Sequence, residues 1–154
     1  MTATHISFAD AIKRGTFGPF AIGASRHTVG ETFGEPTDAT ITNRCRTSCI
    51  WQYGTIEFHF DDDLLSLIHC DADDLFDGGP TLVIDPWKLK RKMPLGELRT
   101  ILDAKTLCYT GCDDRYAPDC TLKLASGCSL GFVLDSDAGL GPTGLRSWSI
   151  MNDG

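Results

Sequence analysis

The chain has 154 residues, of which 42% are hydrophobic and 23% charged, a composition typical of one ordinary folded domain. Its 14 basic and 21 acidic residues leave a net charge of −7. A surface that binds phosphate groups needs clustered Lys and Arg, so we expect neither nucleic acid nor an anionic membrane as partner. No apolar run reaches the ~18 residues of a membrane span, and no export signal follows Lys13 and Arg14. We therefore expect a soluble, cytoplasmic protein.

Three short helices are predicted in chain order. Ser7 is a candidate N-cap of the first helix, and Gly15 would end it. Ser25 begins a second helix that ends at Phe33, just before Gly34-Glu35-Pro36. The third helix opens at Met93-Pro94. Its apolar stripe consists of Leu95, Leu98, Ile101 and Leu102.

Strands are predicted on either side of the third helix. The clearest alternation runs from Thr55 to Phe60, and the turn Asp61-Asp62-Asp63 leads into a returning strand, Leu64 to Cys70. Residues Thr47 to Tyr53 supply a preceding strand, with a bulge or turn at Gly54. The segment Asp71 to Asp85 is predicted to be a loop, as is Gly139 to Gly144. The later strands are Leu107–Tyr109, Cys120–Ala125, Ser129–Leu134 and Leu145–Ile150.

This order of elements predicts the α+β class. We expect an antiparallel β-sheet meander with helices packed on one face, in a single compact domain over residues 1–154. The chain runs helix-then-sheet twice, so a duplicated unit with halves 1–85 and 93–154 is an alternative description.

Four side chains are candidates for a partner-binding surface of the sheet. Trp51, Tyr53, Glu57 and His59 have the parity opposite to the apolar trio Ile56, Phe58 and Phe60, if no bulge intervenes at Gly54. If the trio faces the helices, these four line the opposite surface, where aromatic residues anchor protein partners. The alternative is that Trp51 and Tyr53 belong to the core.

Aspartates are unusually dense just after this region. A docking surface for a basic protein would use them for electrostatic steering. The alternative is a set of turns and a solvated loop, because aspartate favours turns. The aspartates that we assign to the predicted partner-binding surface are Asp61, Asp62, Asp63, Asp71, Asp73 and Asp74.

The cysteines and histidines raise the question of a metal. Seven cysteines without an export signal suggest reduced thiols. The equally spaced pairs Cys45/Cys49 and Cys108/Cys112 are either a four-thiolate zinc site or packed neighbours in strands. His59 and His69 would face each other across the predicted hairpin. Together with Glu57 they would bind a metal or act in acid–base work; the alternative is a structural role. We predict no catalytic residue, no metal and no cofactor.

Two stretches of the chain carry a resemblance. Residues 22–38, IGASRHTVGETFGEPTD, and residues 49–71, CIWQYGTIEFHFDDDLLSLIHCD, join a helix ending in (L/F)-G-x-P to strands of the type W-x-Y-G-x-(I/L)-x-F-x-F. This resembles the helix-helix-sheet fold that the small lipoprotein of the barrel assembly machinery shares with the tandem-repeat β-lactamase inhibitor protein. It is also similar to small cytosolic immunity-type proteins of soil bacteria. The resemblance implies protein binding across a sheet surface.

Together these observations predict a cytoplasmic protein that binds another protein. The sharpest form is an immunity protein that neutralises a cognate bacterial toxin by covering its basic active cleft. The alternative is a structural or assembly scaffold with a permanent partner. A metal-dependent enzyme comes last, because no reactive arrangement of residues is recognisable.

Overall fold

A computed structural model describes residues 3–112, 118–134 and 143–152. It confirms the predicted fold class: an α+β protein built on an antiparallel sheet. The helices are α1 (Phe8–Arg14), α2 (Arg26–Phe33) and α3 (Leu95–Ala104). The strands before α3 are β1 (Thr4–Ser7), β2 (Asp38–Ile41), β3 (Cys49–Tyr53), β4 (Ile56–Asp61), β5 (Leu64–Cys70) and β6 (Leu82–Asp85). Those after it are β7 (Tyr109–Thr110), β8 (Asp119–Leu124), β9 (Cys128–Val133) and β10 (Gly144–Ile150).

The main sheet joins two four-stranded meanders. Its eight strands follow the order β2-β3-β4-β5-β10-β9-β8-β7, and every neighbouring pair is antiparallel. The first half of the chain supplies β2 to β5, and the second half supplies β7 to β10. The two meanders meet where β5 pairs with β10. Each half thus has a helix followed by four antiparallel strands, while duplication itself stays a prediction.

Three strands, β1, β2 and β6, were not predicted. The pair β1 and β6 forms a separate parallel two-stranded sheet. Residues 82–85 therefore lie in a strand, although we expected the whole of Asp71–Asp85 to be a loop. Strand β2 was missed because every one of its four residues is exposed at the sheet edge, so it has no alternation of buried and exposed positions. Most of the predicted loop Gly139–Gly144 lies outside the described residues, and Gly144 already belongs to β10.

The helix ends follow local chemistry. The Ser25 hydroxyl accepts a hydrogen bond from the Thr28 backbone N–H at 3.1 Å, so the predicted cap of α2 is present. Ser7 occupies the N-cap position of α1 but makes no capping hydrogen bond through its side chain. Gly15 ends α1 with a φ of 71°, in the left-handed region where a side chain is unfavourable. Within the described ranges, no helix has the length and apolarity that crossing a bilayer demands.

The core forms between the helices and one face of the main sheet. Phe8 of α1 packs on Trp148 of β10 with ring centroids 4.8 Å apart, and Phe33 of α2 packs on Phe58 of β4 at 5.9 Å. Phe17, between the helices, contacts Phe58 at 5.4 Å. These residues are buried and belong to one hydrophobic cluster. We call this face of the main sheet the inner face and the opposite one the outer face.

Candidate functional site

Four titratable side chains come together on the outer face. Glu57 and His59 alternate on β4 with the buried Ile56, Phe58 and Phe60. In the antiparallel register Glu57 lies directly opposite His69 of β5, so the two side chains share a face. Asp71 follows His69 by two residues, just past the end of the strand. We call Glu57, His59, His69 and Asp71 the outer-face cluster.

The distances within the outer-face cluster are short. His59 Nε2 lies 3.6 Å from Glu57 Oε1, and His69 Nε2 lies 3.5 Å from Asp71 Oδ2. The Glu57, His59 and His69 side chains are 27%, 30% and 29% exposed, so solvent still reaches all three. One ligand atom each from Glu57, His69 and Asp71 lie within 4.8 Å of one another. The cluster is therefore a half-exposed group of imidazoles and carboxylates held on two paired strands.

The predicted pairing of the two histidines is wrong. His69 lies opposite Glu57, whereas His59 lies opposite Leu67. The register is set by the two-residue turn Asp62-Asp63, in which both residues have positive φ, and by a bulge in β5. At this bulge the Ser66 hydroxyl donates a hydrogen bond to the His59 carbonyl oxygen at 3.0 Å. Neither feature is visible in the alternation of residues, so the sequence alone could not place His69 opposite Glu57.

Trp51 and Tyr53 do not share the outer face with Glu57 and His59, contrary to one of the two predictions. Strands β3 and β4 are joined by the turn Gly54-Thr55, and Tyr53 pairs with Ile56. Residues that flank a two-residue turn point to the same side of a hairpin, so odd positions on β3 align with even positions on β4. Both aromatic side chains consequently lie on the inner face.

Tyr53 is a core residue. Its side chain is fully buried, and its hydroxyl donates a hydrogen bond to the Gly34 carbonyl oxygen at 2.8 Å. This bond anchors the end of α2 to the sheet. Burial raises the pKa of Tyr53 well above its ordinary range because the phenolate would lose its hydration. A residue in this environment offers nothing to a partner, so the prediction that Tyr53 binds one is wrong.

Trp51 is half-buried at the rim of the inner face. Its ring lies beside Phe60, with centroids 5.1 Å apart, and under Gly30 of α2. It forms part of an open cleft of about 880 Å³ between α2 and the edge of the sheet. The other residues lining this cleft are Gly30, Gly34, Glu35, Pro36, Ala39 and Thr81. Trp51 therefore remains accessible, but from a different side of the molecule than the outer-face cluster.

The hairpin-tip aspartates are tied to their neighbours. Asp63 forms a 2.6 Å ion pair with Arg26, the first residue of α2. Asp61 accepts a hydrogen bond from the Ser48 hydroxyl at 2.8 Å. Asp62 lies 3.4 Å from the Thr47 hydroxyl. These contacts hold the β4–β5 turn against α2 and the start of β3, which agrees with the alternative that the aspartates build a turn.

The remaining aspartates lie at the other end of β5. That strand has seven residues, and at a rise of roughly 3.3 Å each, Asp71 is about 20 Å from the hairpin tip. Asp73 pairs with Arg91 at 3.3 Å, and the Asp74 carboxylate accepts the Phe76 backbone N–H at 3.0 Å. The aspartates thus do not form the single continuous acidic surface that their closeness in sequence suggested.

The cysteines do not form the four-thiolate site. Cys112 is joined to Cys120 in a disulfide, so the expectation that the cysteines stay reduced is wrong for this pair. Cys49 lies on β3 and Cys108 next to β7, near opposite edges of the eight-stranded sheet. The zinc alternative for Cys45, Cys49, Cys108 and Cys112 is therefore excluded. Cys128 is a separate, buried thiol, and burial raises its pKa to about 12 because the thiolate would be desolvated.

Comparison with known proteins adds little. No known protein family matches the sequence, and no curated protein matches it. A solved structure, that of an extracellular protein containing a SCP domain from Bacillus anthracis, is similar with a TM-score of 0.46 and 8% identity. The similarity covers 86% of this chain and 44% of that protein, so this chain spans less than half of its length. We draw nothing from a likeness this weak, and the resemblance to immunity-type proteins stays a prediction.

Proposed function

We propose that this chain is a protein-binding inhibitor that presents the outer face of its sheet to a partner. In its sharpest form it is a cytoplasmic immunity protein that covers the active cleft of a bacterial toxin. The observation that carries the proposal is the one-sided packing of the main sheet. Apolar side chains point to the helices, while Glu57, His59 and His69 on the other side are only half-buried.

The size of the outer face suits such a role. Eight strands at a spacing of about 4.8 Å give a width of roughly 35 Å, and five residues along each strand give a length of roughly 17 Å. The projected area is therefore about 600 Å², somewhat below the ~800 Å² that each partner contributes to a standard protein interface. The flanking loops would supply the remainder.

The charge of the chain favours a basic partner. The net charge is −7, and Glu57 and Asp71 place carboxylates on or beside the outer face. Opposite charges accelerate the encounter of two proteins and disfavour partners of the same sign. A toxin domain whose cleft grips nucleic acid or a nucleotide has the required positive surface. The immunity role itself comes from the sequence resemblance.

The compartment that we propose is the cytoplasm. Cys45 and Cys108 are free and exposed, which fits a reducing environment because exposed thiols oxidise readily elsewhere. The disulfide Cys112–Cys120 weighs in the other direction, since such bonds are rare in the cytosol. Counting the reactive thiols of the protein as it is made in its own cell decides between the two.

Co-expression with the product of the neighbouring gene tests the function. If that product arrests growth and this chain restores growth, the immunity proposal is supported. The decisive variant is Gln52→Arg, because Gln52 pairs with Glu57 and its side chain shares the outer face. Placing a long cation there should abolish rescue and weaken binding of the purified pair at least about tenfold, the effect of losing roughly 1.4 kcal/mol.

Val83→Arg is the matched control. Val83 is 46% exposed and belongs to the small β1–β6 sheet, away from the outer face. It should rescue growth as the unchanged chain does. Equal rescue by both variants, with the partner bound as tightly as before, would remove the outer face from the proposal. Constant co-purification with one partner in unchallenged cells, without any effect on growth, would favour the scaffold instead.

A further inference from the structure

The outer-face cluster combines the groups that transition metals prefer. Glu57, His69 and Asp71 each offer one ligand atom, and these three atoms lie within 4.8 Å of one another. Glu57 and His69 sit opposite each other on paired strands, so the backbone hydrogen bonds of β4 and β5 hold their Cα atoms in place. Among the described residues, this is the one group of three or more such side chains that meets this geometry.

Ion pairing between exposed side chains does not by itself explain why three ligand groups lie so close together. A cross-strand Glu–His pair and a neighbouring His–Asp pair each satisfy two groups, yet here one imidazole stands between two carboxylates. His59 lies 3.6 Å from Glu57 Oε1 and adds a second imidazole next to the three. Its Nε2 atom is shielded from solvent and has no hydrogen-bond partner among the described residues. Two carboxylates beside imidazole nitrogens present a site that attracts a divalent cation.

We propose that Glu57, His69 and Asp71 bind a divalent transition-metal ion of the zinc type on the outer face. Imidazole nitrogen suits zinc, copper, nickel and iron, whereas calcium and magnesium take oxygen ligands. Bonds of ~2.1 Å to a tetrahedral ion place its ligand atoms about 3.4 Å apart. The three ligand atoms therefore have to move about an ångström or a little more toward one another, which small changes of the side-chain torsion angles allow.

An ion held by three protein ligands keeps an open coordination position. Structural zinc sites are closed by four protein ligands, while open sites keep a place for water or another molecule. Solvent reaches this position, because Glu57 and His69 are only half-buried and Asp71 is 58% exposed. It would accept a water molecule or a donor side chain from a second protein. The ion would bind without any partner, so this inference stands apart from the proposed function.

Titration of the purified full chain with zinc chloride tests the proposal. Cys45 and Cys108 are exposed free thiols, and thiolates are zinc ligands in their own right. The titration therefore uses a Cys45→Ser/Cys108→Ser background. Calorimetry should show one bound ion per chain. His69→Ala and Glu57→Gln should each weaken its binding by at least about tenfold, the lower end of the loss seen when even an outer partner of a metal ligand is removed. Glu57→Gln keeps the side-chain volume and serves as the second variant if His69→Ala fails to fold.

His27→Ala is the matched control. His27 lies 3.9 Å from Glu31 on α2, so it is also a histidine beside a carboxylate, but it is 83% exposed, and no third ligand joins the pair among the described residues. Its replacement should leave the affinity unchanged. Cobalt binding followed by absorption identifies the ligands, because thiolate ligation gives a charge-transfer band that nitrogen and oxygen ligands lack. The proposal is overturned if the background protein binds no ion, or if His27→Ala and His69→Ala weaken binding equally.

Discussion

Replacing Tyr53 with phenylalanine removes one oxygen atom from the middle of the core and leaves the ring in place. The ring packs against Phe58 and Phe33 at centroid distances of 5.2 Å and 5.9 Å, and these contacts remain. What is lost is the 2.8 Å hydrogen bond to the Gly34 carbonyl oxygen. A buried acceptor left without a partner costs about 1–3 kcal/mol, so we expect the free energy of unfolding to fall by about 1.5 kcal/mol.

Urea denaturation followed by circular dichroism measures this loss. With an m value of about 2 kcal/mol/M, the midpoint should fall by roughly 0.7 M. Tyr109→Phe is the control, because the Tyr109 hydroxyl donates a hydrogen bond to the Asp103 carboxylate at 2.9 Å on the exposed side of α3. Its loss should change the free energy of unfolding by less than about 0.5 kcal/mol.

The pH dependence of the same comparison gives a second measurement. Burial holds the pKa of Tyr53 above its ordinary value of 10.0 in the folded state, so above pH 10 the unfolded chain releases this proton first. The stability that Tyr53 contributes is therefore complete below pH 10 and is lost as the pH rises toward the folded pKa. The difference in free energy of unfolding between the unchanged chain and Tyr53→Phe should therefore shrink by about 1.4 kcal/mol per pH unit in that range.

A different pair of results would refute the hairpin register. If Tyr53 lay on the outer face with Glu57, its replacement would cost no more than that of Tyr109, and the advantage would not change above pH 10. Tyr53→Phe would then also weaken partner binding. The structure predicts instead a less stable protein whose partner affinity is unchanged.

The remaining predictions concern the backbone and the thiols. A Cβ atom at Gly15 would meet the Ser126 backbone oxygen, and φ there is 71°, so Gly15→Ala should lower the free energy of unfolding in urea by about 2 kcal/mol or more. Gly96→Ala in α3 is the control, because the added atom meets nothing within 4 Å; it should raise the free energy of unfolding by about 0.5–1 kcal/mol. Equal effects of the two substitutions would contradict the close approach of α1 to the β8–β9 turn. Unfolded protein should show five reactive thiols before reduction and seven after it, because Cys112 and Cys120 are joined. Seven thiols before reduction would contradict the disulfide and support a fully reducing compartment.

Much of the fold could be predicted because short-range chemistry determines it. The second helix ends where Gly34 and Pro36 prevent its continuation, and β5 was predicted with its observed bounds, Leu64–Cys70. Hydrophobic alternation correctly identified the buried side of β4. Strand β2 lacked such a pattern because it is exposed throughout. The short strands β1 and β6, also missed, pair with each other from distant parts of the chain. Their existence depends on partners that are distant in sequence.

The sequence by itself determined the class of the fold, the apolar face of β4 and the acidity of the chain. Only the tertiary structure decided which residues share a surface. Strict alternation orders side chains along one strand, but the Gly54-Thr55 turn and the bulge in β5 change the parity from one strand to the next. For this reason Tyr53 lies in the core, while His69 and Asp71 lie beside Glu57 on the outer face.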